Sequence, residues 1–267
     1  STMVSSLGQT LNFTTAQTDY VDIWNGFILA TEKPLSENKV ATINISSKAS
    51  ALGSLVTVKP ASFDVKVLIK GLVYEIRTIE DFLSIDNVLV GNYRLANNLD
   101  MSSVTDFTGF GSETSPFVGS FDGNGYTISN LTIHAGDGNK RGLFNVTGSP
   151  AVIKNLALEN VKVLNGQQDV GALIGKSSGT TVSQCSVTGA INGYDHVGAF
   201  MGSADNTTMT NCFANATVTT AAYQAGGLMG VMYGTTLIDK CYFAGEVYAP
   251  DLATVGNAAG IAGIIEG

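Results

Sequence analysis

Five short phrases in this chain are near copies of one another: Arg141-Gly-Leu-Phe-Asn145, Gly171-Ala-Leu-Ile-Gly175, Gly198-Ala-Phe-Met-Gly202, Gly226-Gly-Leu-Met-Gly230 and Ala259-Gly-Ile-Ala-Gly263. Their first residues step by 30, 27, 28 and 33 positions. Repetition at this period restricts the fold to a stack of supersecondary units, because one unit alone cannot bury its apolar face.

A second phrase runs in phase with the first and identifies the unit. It reads Ile128-Ser-Asn-Leu131-Thr-Ile133, Ile153-Lys-Asn-Leu156-Ala-Leu158, Val182-Ser-Gln-Cys185-Ser-Val187, Met209-Thr-Asn-Cys212-Phe-Ala214 and Ile238-Asp-Lys-Cys241-Tyr-Phe243. Nothing over 119–267 sustains the i, i+3, i+4, i+7 apolar spacing of a helix. Each unit is therefore a set of short strands with Gly and Asn turns. Stacked rung on rung, such units make a right-handed parallel β-helix, with equivalent residues ~4.8 Å apart. One inward column is expected to be Leu131, Leu156, Cys185, Cys212 and Cys241, and another Ile128, Ile153, Val182, Met209 and Ile238. A β-propeller is the competing fold, but its blades need about 40 residues or more.

The phrase Gly-Leu-x-Gly, followed about eleven residues on by a hydrophobic-x-x-Cys strand, resembles the GLUG-motif repeats of bacterial cell-surface and secreted proteins. That group includes adhesins and the non-catalytic regions of immunoglobulin A metallopeptidases. The lead-in Asn92-Tyr-Arg-Leu-Ala-Asn-Asn-Leu-Asp100, Pro116-Phe-Val-Gly-Ser-Phe-Asp-Gly-Asn-Gly-Tyr-Thr-Ile128 and Ser129-Asn-Leu131 is similar to the opening of such an array. The resemblance covers roughly 74–267 and implies the scaffold; fold does not by itself imply function. The chain departs from the pattern at Asn145, at Ala214 and in an insertion around 250–257.

Residues 1–72 break the repeat and are expected to form a small antiparallel β-sandwich-like module ahead of a 73–267 β-helix domain. Alternation of apolar side chains at 63, 65, 67 and 69 marks a half-buried strand, and similar runs lie at 11–14, 26–31, 40–45 and 55–58. Between the modules, Thr78 with Asp81 forms a capping-box pattern, and Ile79, Phe82 and Leu83 form an apolar face. A helix here would cap the N-terminal end of the solenoid.

Composition narrows function. Charged residues are 13%, net charge is −8, and the only arginines are Arg77, Arg94 and Arg141, so there is no electrostatic footprint for nucleic acid. No apolar run approaches membrane-spanning length, so no membrane insertion is expected. The three cysteines are spaced by 27 and 29, the coil period, and read as reduced thiols in one packed column, not a disulfide or metal set. No cofactor or metal is expected. Asp122-Gly-Asn124-Gly125 has turn composition and too few oxygens for calcium.

Just before the glycine strands, Gln168-Asp169, Asp195-His196 and Tyr223-Gln224 align. They read first as solvated turns, where Asp169→Ala would change stability by no more than about 0.5 kcal/mol. The binding candidates are Asp169, Tyr194, Asp195, His196, Tyr223 and Gln224, with Tyr233 and Tyr248 as further loop aromatics. Aromatic faces beside hydroxyl-binding polar groups suit carbohydrate. The expectation is a monomeric, non-enzymatic, adhesin-like protein outside the cell or on its surface, anchored through a removed N-terminal segment, with a glycan or host-surface ligand. The alternative is a β-helix lyase or glycosidase with Asp169 and Asp195 as its carboxylates.

Overall fold

The computed structural model describes residues 73–134, 138–249 and 257–266, together with the backbone of strands within the first 72 residues. The chain divides into two compact units, Ser1–Leu72 and Val73–Gly267. In the first, Thr2–Val4, Thr10–Thr14 and Ile28–Thr31 form an antiparallel sheet, and Lys39–Ile45 pairs antiparallel with Ala61–Val67. The strand expected at 55–58 and the side chains of the strand around 63–69 lie outside the described residues.

The second unit is a parallel β-helix. Its first sheet has 7 strands running from Val73–Ile76 through Asn92–Leu95, Ser120–Asp122, Val152–Lys154, Thr181–Ser183 and Thr208–Thr210 to Leu237–Asp239. The second is 10-stranded and contains the long strands Ala157–Gly171 and Ser186–Gly198. The third has 5 strands: Phe144–Thr147, Ile174–Ser178, Met201–Asp205, Met229–Tyr233 and Ala262–Glu266. Among the described residues every ladder in this unit is parallel, so each coil hands its sheet backbone groups to the next.

Side-chain alternation places one apolar column behind each sheet. Behind the first lie Tyr93, Phe121, Ile153, Val182 and Met209, all buried, continued by half-buried Ile238. The earliest coils are filled by aromatics: the Phe117 and Phe144 ring centroids are 4.4 Å apart, and Tyr74 stacks on Tyr93 at 5.2 Å. Later coils hold mostly aliphatic, Met and Cys side chains, with Phe200 as a buried aromatic.

The first members of both expected columns are misplaced by one strand. Ile128 pairs with Leu158, not Ile153, whose neighbour in the preceding coil is Phe121. Leu131 likewise lies beside Val161, since the Lys162 N–H donates to the Leu131 carbonyl. The corner Asp122-Gly-Asn124-Gly125 carries extra residues relative to Lys154-Asn155, and this lengthening shifts the phrase. Ile128 and Leu131 are nevertheless fully buried.

Cys185, Cys212 and Cys241 do follow Leu156 on adjacent rungs, shown by Ser186 N–H to Leu156 O, Phe213 N–H to Cys185 O and Tyr242 N–H to Cys212 O. All three are free thiols, and Cys241, on the outermost described coil, is half-buried. Each Sγ sits 3.2 Å from the carbonyl two residues back, at Ser183, Thr210 and Asp239. A hydrogen bond to Cys185, then burial, pushes the Cys212 thiol up; burial pushes Cys241 up to about 11. The Cys212 and Cys241 thiols stay protonated, and all three side chains fill space.

The repeated glycines mark places where one coil's backbone lies against another's. A Cβ on Gly202 would be 2.1 Å from the carbonyl carbon of Asp169, and one on Gly230 2.3 Å from that of His196. The leading glycines close the same crossing from the other side: a Cβ on Gly198 would be 2.7 Å from the Cα of Met229. Asn145 replaces the closing glycine in the first copy because the loop below it differs there. Its Nδ2 donates to the Gly111 carbonyl at 3.3 Å, and Gly109 leaves room for its amide.

The cap forms as the sequence indicates. Ile79–Leu83 is a helix whose Thr78 Oγ1 accepts from Asp81 N–H while Asp81 Oδ2 accepts from Thr78 N–H, both at 3.1 Å. Phe82 is fully buried against Phe107 and Phe110, whose centroids are 5.7 and 5.0 Å away. Leu83, however, is 42% exposed, and Ile85 in the following 3-10 turn takes the buried place. Ile79, Phe82 and Leu83 share one face by spacing, but Leu83 is the last helical residue, and the chain turns there into the 3-10 segment Ser84–Asn87.

Two substitutions test this packing. Leu156→Ala should cost about 2–5 kcal/mol in urea unfolding. Gly202→Ala should cost about 1–3 kcal/mol or more, whereas Gly260→Ala, where a Cβ meets nothing within 4 Å, should stay within about 0.5 kcal/mol. Equal effects at the two glycines would show that the crossing is not what requires glycine.

Candidate functional site

The six candidate residues meet at the corner where the chain leaves the second sheet for the third. Gln168 pairs with Asp195, and Val170 with Val197 and then Ala225, which puts Asp169, His196 and Gln224 at equivalent positions on successive coils. Turning the chain here needs a left-handed residue: φ is 57° at Asp169 and 48° at His196. Asp and His tolerate that region better than branched side chains. Gly202 and Gly230 then press on these two corners from the next coil, fixing their positions.

The side chains form a histidine–carboxylate lock across the rungs, ionic when His196 is protonated. His196 Nδ1 is 2.8 Å from Asp169 Oδ1, and its Nε2 is 3.6 Å from Asp195 Oδ2. Asp195 Oδ1 accepts from the backbone N–H groups of His196 at 2.8 Å and Gln224 at 3.3 Å. Burial pulls the His196 pKa down, but the Asp169 hydrogen bond and the charges of Asp195, Asp169 and Glu266 outweigh it, and the net shift is upward. From the third sheet, Tyr233 also faces this cluster; burial first, then Glu266, Asp169 and Asp195, raise its phenol pKa.

Asp169 is only 7% exposed, so the expectation of a freely solvated turn fails at this residue. The corner is narrow, and the imidazole of the next coil covers the carboxylate. Removing Asp169 should therefore cost more than a surface change. Gln224 is half-buried and its Oε1 has no hydrogen-bond partner among the described residues.

Tyr194 and Tyr223 behave differently. They are 46% and 40% exposed, and their rings pack edge to face with centroids 6.0 Å apart at 78°. Thr220 Oγ1 donates to the Tyr194 carbonyl at 2.8 Å, which ties the two coils together beside the pair. The candidate set thus separates into a lock of buried Asp169 with half-buried His196 and Asp195, and an exposed aromatic pair. The contributions of Glu266 and Tyr233 were invisible in the sequence, because they arrive from another sheet and only the register of their strands aligns them.

Among the described residues, no group of three or more His, Cys, Asp or Glu could hold a metal ion, and no helix is long and apolar enough to cross a membrane. Asp122, in the turn weighed for calcium, has Oδ1 occupied by Asn124 N–H and Asn155 Nδ2 at 2.8 and 3.0 Å, and Lys154 Nζ lies 3.3 Å from Oδ2.

Because the folded pKa of His196 is raised, the lock's stabilisation is full below the unfolded value of about 6.5 and is lost as pH rises through the higher folded value. Thermal unfolding between about pH 5 and about pH 8 should show wild type losing stability relative to His196→Gln as pH climbs. Asp169→Ala should cost on the order of 1–3 kcal/mol near pH 6 and less at higher pH. A pH-independent difference between wild type and His196→Gln would exclude the charged lock.

No protein-family model matches the chain. It is similar to halomucin of Haloquadratum walsbyi, 34% identical over 40% of this chain and 1% of that protein. It is also similar to the immunoglobulin A1 protease of Streptococcus sanguinis, 31% identical over 68% of this chain and 10% of the protease. Among solved structures, a Bacteroides ovatus protein assigned as an immunoglobulin A1 protease matches 72% of this chain and 61% of its own, with a TM-score of 0.63 and 25% identity. This chain therefore spans only a small part of the curated relatives it matches.

Proposed function

We propose that the chain is part of a non-enzymatic, adhesin-like protein outside the cell or at its surface, in which the β-helix holds out a binding face for carbohydrate. The observation that carries this reading is the exposed Tyr194–Tyr223 pair, set on a corner that the part-buried His196–Asp169 contact and backbone crossings hold in place. Aromatic faces on a preorganised support lose little conformational entropy on binding. Two similar proteins are named as immunoglobulin A1 proteases and one as halomucin, which supports an extracellular location.

Asp169 and Asp195 suit a structural role better than catalysis. Glycoside hydrolysis needs two carboxyl groups facing a substrate across an open cleft, whereas these two face one imidazole, with side chains only 10% and 16% exposed. On this reading Tyr194→Ala with Tyr223→Ala should weaken binding to a glycan array ligand about tenfold or more, with melting temperature little changed. The purified chain should depolymerise no polysaccharide. Cleavage that disappears on changing either aspartate would make the β-helix enzyme the correct reading.

A further inference from the structure

A different corner carries a second set of outward groups. Where the chain leaves the first sheet, Asn155, Gln184, Asn211 and Lys240 have φ of 54°, 53°, 54° and 51°. They stack rung on rung, since the N–H groups of Asn155, Gln184 and Asn211 donate to Ser183, Thr210 and Asp239 of the following coil. Gln184 and Asn211 are exposed, and their side-chain amides make no hydrogen bond to another described residue.

Two positions further on, the outward column of the second sheet runs Ala157, Ser186, Phe213, Tyr242. The last two rings pack with centroids 4.4 Å apart at 32°, and Tyr242 is 58% exposed. Between the amide ladder and this column lies an open groove of about 410 Å³ that spans several coils, from Gly125 to Phe213, over a floor of Leu156 and Cys185. No charged side chain lines the stretch from Gly125 to Phe213, and Lys240 continues the ladder on the next coil.

We infer that this groove binds a neutral, linear oligosaccharide lying along the coil axis. Amides recur at one rung spacing, ~4.8 Å, a distance on the order of one sugar residue, and each offers both a donor and an acceptor to hydroxyl groups. The Phe213–Tyr242 stack offers an apolar face to sugar CH groups. The uncharged lining of this stretch suits a neutral chain better than a uronate or a sulfated one. This inference extends the surface-binding reading but is separate from the Tyr194–Tyr223 face, and either can fail alone.

The test is calorimetric titration of the full chain with cellohexaose, xylohexaose, laminarihexaose and mannohexaose, and with hexagalacturonate as the anionic comparison. At least one neutral oligosaccharide should bind, and Tyr242→Ala should weaken it about tenfold. Gln184→Gly with Asn211→Gly should do the same without unfolding the corner, because glycine keeps the left-handed backbone while removing the amide. Tyr194→Ala with Tyr223→Ala should leave this binding unchanged. Binding of no neutral oligosaccharide, binding of hexagalacturonate alone, or binding indifferent to the groove variants would overturn the inference. Loss only in the Tyr194/Tyr223 variant would overturn it while favouring the other face.

Discussion

The β-helix depends on a close crossing of backbones that leaves no room for a Cβ. At three successive turns from the second sheet to the third, a glycine of one coil rests on the corner residue of the coil before it: Gly175 on Lys140 and Arg141, Gly202 on Asp169 and Val170, Gly230 on His196 and Val197. Hydrogen bonds along the sheets set the rung spacing, but these crossings set how sharply the chain turns and which residue sits at the turn. The glycine repeat is therefore a steric requirement. The apolar pair between the glycines, Leu173 with Ile174 or Phe200 with Met201, is buried as a consequence.

That constraint also shapes the candidate site. Because the corner is clamped from the next coil, a polar residue placed there cannot swing freely into water and finds its partners across the rungs. Asp169, His196 and Asp195 do so, whereas Tyr194 and Tyr223, just before the corner, escape the clamp and remain exposed. The same division recurs at the first corner, where Asn155 is tied to Asp122 while Gln184 and Asn211 project outward. Rigid support and exposed side chains alternate along the coil.

Much of this was legible in the sequence because the repeat period, the strand alternation and the capping box are local signals. The parallel β-helix with its N-terminal cap, the cysteine column and the alignment of Asp169, His196 and Gln224 all follow from spacing alone. Register failed at Ile128 and Leu131, where a lengthened corner let one phrase mimic the next. Burial of Asp169 was also missed, since a turn residue's exposure depends on the coil above it. Exposure of Leu83 does not follow from helical spacing, because the chain passes into a 3-10 turn directly after it and Ile85 takes the interior position.

The parallel ladders have a mechanical consequence. Their hydrogen bonds point along the solenoid axis, from each coil to the next, on all three sheets at once. A pull along that axis loads every bond of one coil interface together, and peeling them singly would require the coil to tilt. The crossings resist that tilt, because each corner is trapped beneath the glycine strand of its neighbour. Under tension such a shaft should give way one whole coil at a time, beginning at an end coil held by a neighbour on one side only.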